Sequence, residues 1–185
     1  MKAHVHKLLT RAIGSGTATG LASAAVASAG ALHWGHGPCR AMNAVTHCLW
    51  RDASWRRRPS AKYTALGTTI HMGSAVFWGV LFEALCERGY RRSGAINIAN
   101  AAATTALATY VVDYHVVPKR ITPGFESHLS KDSLGLTYVA LGAGFALAAV
   151  LRLVHDADRV AALELPSTGR NSSFAGLSCA DTSGR

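Results

Sequence analysis

The chain has 185 residues, room for one domain of ordinary size, and carries 19 Lys and Arg against 10 Asp and Glu. Only 16% of its residues are charged, and they gather at the edges of long uncharged runs. That excludes a soluble bundle whose helices would each show a charged face. The bases Arg11, Arg56, Arg57, Arg58, Arg91, Arg92, Lys119, Arg120 and Arg152 flank the runs, a placement suited to lipid headgroups rather than to nucleic acid.

The first run, Ala12 to Cys39, is uncharged but has only Ile13, Leu21, Val26 and Leu32 as large aliphatics between Ala12 and Leu32. Lys2, Lys7 and Arg11, followed by Ala27-Ser28-Ala29, admit a cleaved signal peptide over residues 1–29. The alternative is a packed membrane helix over about 11–34. Gly16, Gly20, Ala24, Ala27 and Ala31 recur every three or four residues, a stripe that lets a neighbouring helix approach closely, in this chain, a second copy or a membrane partner. Gly35-His36-Gly37-Pro38 closes the segment. The stretch "RAMNAVTHCLWRDA" then predicts a short interfacial helix with Met42, Val45, Leu49 and Trp50 on its apolar side.

Tyr63 to Phe82, 20 uncharged residues, predicts a second membrane helix over about 61–86 with Ser60 as N-cap. Ser93 to Val112, also 20 residues, predicts a third over about 93–116. It should stop there because the residue before Pro118 is pushed out of the helical region. Thr122-Pro123 opens a short helical turn through Leu129. Ser133 to Leu151, 19 residues, predicts a fourth helix over about 133–154. About 20 apolar residues cross a hydrocarbon core, so the expected fold is all-α: a four-transmembrane-helix bundle over residues 1–160, multi-pass in a cell membrane. Residues 161–185 are rich in Ser, Gly and Thr and predict a disordered polar tail. Its "LPSTG" lacks the hydrophobic segment that a sortase signal requires after it.

Four antiparallel crossings would bring His33, His36, His47, His71, His115 and His128 to one membrane face, with Asn43, Asp113 and Glu126. On the third helix Asn97, Asn100, Thr104 and His115 fall within about 60° of one another. Thr64, Thr68, His71, Ser74 and Trp78 form a similar stripe on the second. Facing each other, the stripes would make a polar seam deepest at His71 and Asn100. The candidate site is therefore Asn43, His47, His71, Asn100, Asp113, His115, Glu126 and His128.

Metal binding is one chemistry for such a face. "DYH" and "ESH" each pair a carboxylate with a histidine two residues on, and such pairs diverge by about 200° on a helix. A site would draw single ligands from separate elements: His71, His115 and Asp113, with Glu126 or His128. Zinc accepts three such ligands plus water. Haem held between His71 and His115 is a less favoured cofactor. The competing reading is a non-enzymatic packing or partner protein whose histidines hold loops together. No tight ligand motif, nucleophile elbow or phosphate-binding loop occurs in the sequence.

The blocks "MNAVTHCLW", "HMGSAVFW" and "VVDYHVVPKRITPGFE", in this order and separated by membrane helices, resemble a family of small, uncharacterised bacterial multi-pass inner-membrane proteins. The resemblance covers roughly residues 33–150 and rests most on the third block. It implies a four-helix membrane protein and carries over no catalytic residue.

Overall fold

The computed structural model describes residues 2–89 and 94–164, and over them the chain is helical, with no strand. The helices are α1 (Lys2–His33), α2 (Arg40–Val45), α3 (Ala61–Arg88), α4 (Gly94–Val116) and α5 (Lys131–Glu164). Single 3₁₀ turns form at Thr46–Cys48, Ala53–Trp55 and Phe125–Ser127. Among the described residues three helices are long and apolar enough to cross a membrane: α3, α4 and α5. At 32 residues α1 has the length, but its middle is built of Gly, Ala, Ser and Thr.

Two ends differ from the sequence expectation. α1 begins at Lys2 rather than near residue 11, and α5 continues to Glu164 rather than stopping near 154. Charge marks where a helix leaves an apolar layer, not where it ends. The flanking Lys, Leu, Arg, Ala and Glu are good helix formers. The residues up to Arg152 form one compact unit. From Leu153 to Leu163 the chain is helical with exposed side chains. Residues 165–185, where the polar tail and "LPSTG" fall, lie outside the described residues.

Local chemistry sets the other boundaries. Ser60 stands in the N-cap position of α3, but the bond runs the other way, Thr64 Oγ1 accepting the Ser60 N–H at 3.0 Å. At the end of α4 a wide turn over Val112–Val116 closes with the Val117 N–H donating to Val112 O. Val117, before Pro118, is extended at φ −77°, ψ 148°. α2 is only six residues long; Met42 and Val45 pack against Ala27, Ala31, Phe125 and Leu129, whereas Leu49 is exposed.

Small residues decide how α1 meets α3. A Cβ on Gly16 would lie 2.5 Å from the Val76 Cα, and one on Gly79 would lie 2.7 Å from the Ala12 carbonyl oxygen. Gly16 and Gly20 of the α1 stripe thus meet this chain's own α3, while Ala27 and Ala31 pack against α2, Phe125 and Leu129. Deeper in the bundle Phe82 of α3 stacks on Phe145 of α5 at 4.8 Å, beside Trp78, Ile98, Tyr138 and Leu141.

The polarity of the bundle is inverted relative to a soluble protein. Ile13, Leu21, Phe77, Ile96, Leu107, Val139 and Leu147 are exposed, while Ser15, Thr19, Ser23, Thr105, Thr109 and Thr137 are buried. Most of the inner hydroxyls donate to carbonyls: Ser23 to Thr19 O at 2.8 Å, Thr109 to Thr105 O at 2.8 Å, and Thr19 across to Leu141 O of α5. Hydrocarbon outside and mostly satisfied polar groups inside, Thr105 Oγ1 being an exception, is the arrangement a bilayer favours.

Candidate functional site

The segments joining α1 to α3 and α4 to α5 meet at one end of the bundle. Asn43 of α2 is fully buried there and ties the layer together. Its Nδ2 donates to Arg56 O (2.9 Å) and Arg58 O (3.1 Å), and its Oδ1 accepts from Thr64 Oγ1 (2.6 Å). His47 bridges the two segments, with Nδ1 at 2.9 Å from Ala44 O and Nε2 at 3.2 Å from Lys119 O. Gly124, at φ +78°, turns the second segment where a Cβ would strike Ala44 O and the His47 ring. At the exposed edge Arg56 binds Asp52, which holds that carboxyl below its usual range and the guanidinium above its own.

Beneath this layer lies a recess of about 120 Å³ between α1, α3, α4 and α5. His71 and Asp113 both line it, with Ser23, Thr109, Thr137 and Tyr138. His71 Nε2 sits 3.1 Å from Gly20 O and 3.1 Å from Ser23 Oγ. A carbonyl only accepts, so Nε2 carries the proton. Among the described residues nothing bonds Nδ1, which is left as a lone-pair donor for a ligand. Asp113 Oδ2 accepts from Tyr138 Oη at 2.6 Å. Phe125 closes one side, its ring edge-on to His71 at 5.9 Å. One imidazole, one carboxylate and several hydroxyls thus line a small, partly enclosed space. Cys48 also lines the recess, yet among the described residues no three His, Cys, Asp or Glu side chains converge as a preformed metal group.

A second recess, about 270 Å³, opens beside Trp34, His36, Glu126, Ser127, His128 and Ser130. Arg40, 6% exposed, donates from Nη1 to His36 Nδ1 at 3.2 Å, and its buried Nε has no partner. His128 is 7% exposed and neither ring nitrogen has a partner; its ring lies edge-on to His36 at 5.7 Å. Burial, then the charge of Arg40, then His36 push the His128 pKa down to about 4. Burial and Arg57 lower that of Arg40.

The opposite end of the bundle holds a different arrangement. Glu83 of α3, 1% exposed, receives both terminal nitrogens of Arg152 of α5, each at 2.9 Å.

Against the sequence expectation, the structure brings His71 and Asp113 to one recess, and Glu126 and His128 to the other. Asn43 and His47 belong to the hydrogen-bonded layer between. The facing polar seam does not form: Asn100, Thr104 and His115 are exposed on the outer side of α4. His115 packs edge-on to Tyr110 at 5.7 Å and does not line the recess that His71 and Asp113 share. Helical phase fixed which residues share a face of α4 but not which face is inward. The inward stripe is Ala101, Thr105 and Thr109, four apart, whose small side chains admit close packing. Sequence reading missed Tyr138, Ser23, Arg40 and the Glu83–Arg152 pair. A lone Glu in "SAVFWGVLFEAL" was the available signal for the last. The chain matches no family model, no curated protein and no solved structure.

Proposed function

We propose that the chain is a multi-pass membrane protein of four crossings, with α1 as the fourth, that binds a small polar ligand in the His71–Asp113 recess. A divalent metal ion such as zinc is the first ligand to test. The observation that carries the reading is the recess itself, lined by His71, whose Nδ1 is unbonded, and by the Asp113 carboxylate. Intramembrane ionisable groups are costly and persist mainly where they serve a ligand or a partner. A zinc ion taking His71 and Asp113 would complete its shell with water or with Cys48 after a side-chain shift. α2 and the 3₁₀ turns after it would lie in the interface, where Trp50 and Trp55 suit the headgroup level.

One observation favours a second reading. The bond from His71 Nε2 to Gly20 O pins α1 to α3, so His71 would serve a non-enzymatic packing role with no ligand at all. Elemental analysis and zinc titration of the detergent-purified protein separate the two. Ligand binding requires stoichiometric metal, or added zinc bound tightly, lost in both His71→Ala and Asp113→Asn; the second variant keeps an acceptor for Tyr138. The packing reading requires no metal in any form and a stability loss of about 1–3 kcal/mol in His71→Ala.

A further inference from the structure

We infer that the second recess, bounded by His36, His128 and Trp34, binds a phosphate group. Its lining holds two imidazoles and one carboxylate, and a buried cation, Arg40, stands behind His36. Arg40 is nearly fully buried, no carboxylate lies within ion-pair distance of it among the described residues, and only one of its five N–H groups is bonded to protein. Because that N–H enters Nδ1 of His36, the ring must carry its proton on Nε2, so His36 presents an N–H donor with the arginine charge behind it. His128 lines the same recess, is 93% buried by its 7% exposure, and has two unpartnered ring nitrogens. The backbone of Ser54 and Ser127 lies close enough to that ring to favour its protonated form, short of full hydrogen-bond geometry.

A buried donor without a partner costs free energy, and a buried cation without a counter-ion costs more. An anion accepting from His36 Nε2 would offset the Arg40 charge behind that ring, and a turn of the His128 side chain would bring one of its enclosed nitrogens to the same anion. Its negative charge would also favour the protonated His128 imidazole, giving a second charge-assisted hydrogen bond. The carboxylate of Glu126 also lines the recess, but it is exposed and its Oε1 accepts from Thr122 Oγ1 at 2.8 Å. Phosphate is favoured among anions by position. Trp34, 54% exposed at the mouth, is the side chain that marks the headgroup level of a bilayer, where lipid phosphates lie. The phosphate group comes either from a lipid headgroup or from a free phosphate.

The test uses the full chain in detergent and in nanodiscs. Inorganic phosphate is titrated by calorimetry against chloride at equal ionic strength, and lipid retention is read by native mass spectrometry from nanodiscs with and without phosphatidic acid. Free phosphate binding in detergent, weakened about tenfold or more in His36→Ala, assigns the soluble source; loss of one charged hydrogen bond corresponds to about that factor. Phosphatidic acid retained by the wild type and lost in His36→Ala, without binding of inorganic phosphate, assigns the lipid. Arg40→Lys keeps the charge but not the fork; it serves as the second variant and should also weaken binding. No retention of either phosphate source, or retention unchanged in both variants, overturns the inference.

Discussion

The two ends of the bundle treat buried charge in opposite ways. At one end Glu83 and Arg152 meet in a bidentate pair that satisfies both groups. At the other, Arg40 and His128 are buried but leave polar atoms without partners, and His71, which lines a recess, keeps one ring nitrogen unbonded. Paired charge holds helices together and needs nothing further. Unpaired buried polarity costs stability, and it is retained where a ligand completes it. The Glu83 end therefore reads as a structural clamp, and the His71 end is where the proposed ligand would lie.

Breaking the clamp should give the largest effect. Glu83→Gln leaves Arg152 buried without a counter-charge and should lower unfolding stability in mild detergent by about 3 kcal/mol, the low end of the range for buried pairs because Arg152 is partly exposed. Adding Arg152→Met should restore most of the loss, as measured by denaturant unfolding; no recovery in the double variant would count against a coupled pair. Ligand binding at the far end should be unchanged in the double variant.

The binding end should show itself by pH. His128 has a folded pKa of about 4, below its ordinary value of 6.5. Between those values the unfolded chain takes up a proton that the folded chain does not, so stability falls as pH drops from about 6.5 to about 4. The full effect is about 3 kcal/mol at 1.36 kcal/mol per pKa unit. His128→Leu should flatten that slope in thermal unfolding measured across the range. A slope as steep as the wild type's would show that another group is responsible.

Two smaller tests sharpen the contrast. Gly79→Ala puts a methyl group 2.7 Å from the Ala12 carbonyl and should cost about 1–3 kcal/mol by forcing α1 from α3. An unaltered melting temperature would mean that α1 does not pack there. His115→Ala, on the outer side of α4, should change stability by less than about 0.5 kcal/mol and leave metal and phosphate binding intact.

Much of the architecture was legible in the uncharged runs. Charge-free stretches of 19 to 20 residues located α3, α4 and α5, and Pro118 located the end of α4. The helix ends at Lys2 and Glu164 were not legible, because charged residues leave a hydrophobic layer without leaving the helix. The gathering of His71, Asp113, Glu126 and His128 near one end could be read from topology alone. Which of them share a recess could not, since that depends on helix rotation. On α4 the rotation is set by Ala101, Thr105 and Thr109 rather than by the more polar Asn100 and His115. Long-range partners such as Tyr138 for Asp113, 25 residues on, and Arg152 for Glu83, 69 residues on, leave no periodic trace in a sequence.

The contrast between the ends requires that they lie on opposite sides of a membrane, and thiol labelling of intact cells tests this most directly. Arg51→Cys at the His71 end, Arg88→Cys at the Glu83 end and Lys7→Cys near the start of α1 are made singly, with the native cysteines replaced; all three positions are exposed. An impermeant maleimide should label Arg51→Cys from one side, and Arg88→Cys and Lys7→Cys both from the other. Labelling of Arg51→Cys and Arg88→Cys from the same side would contradict the crossing of α3, and Lys7→Cys labelling with Arg51→Cys would remove α1 as the fourth span.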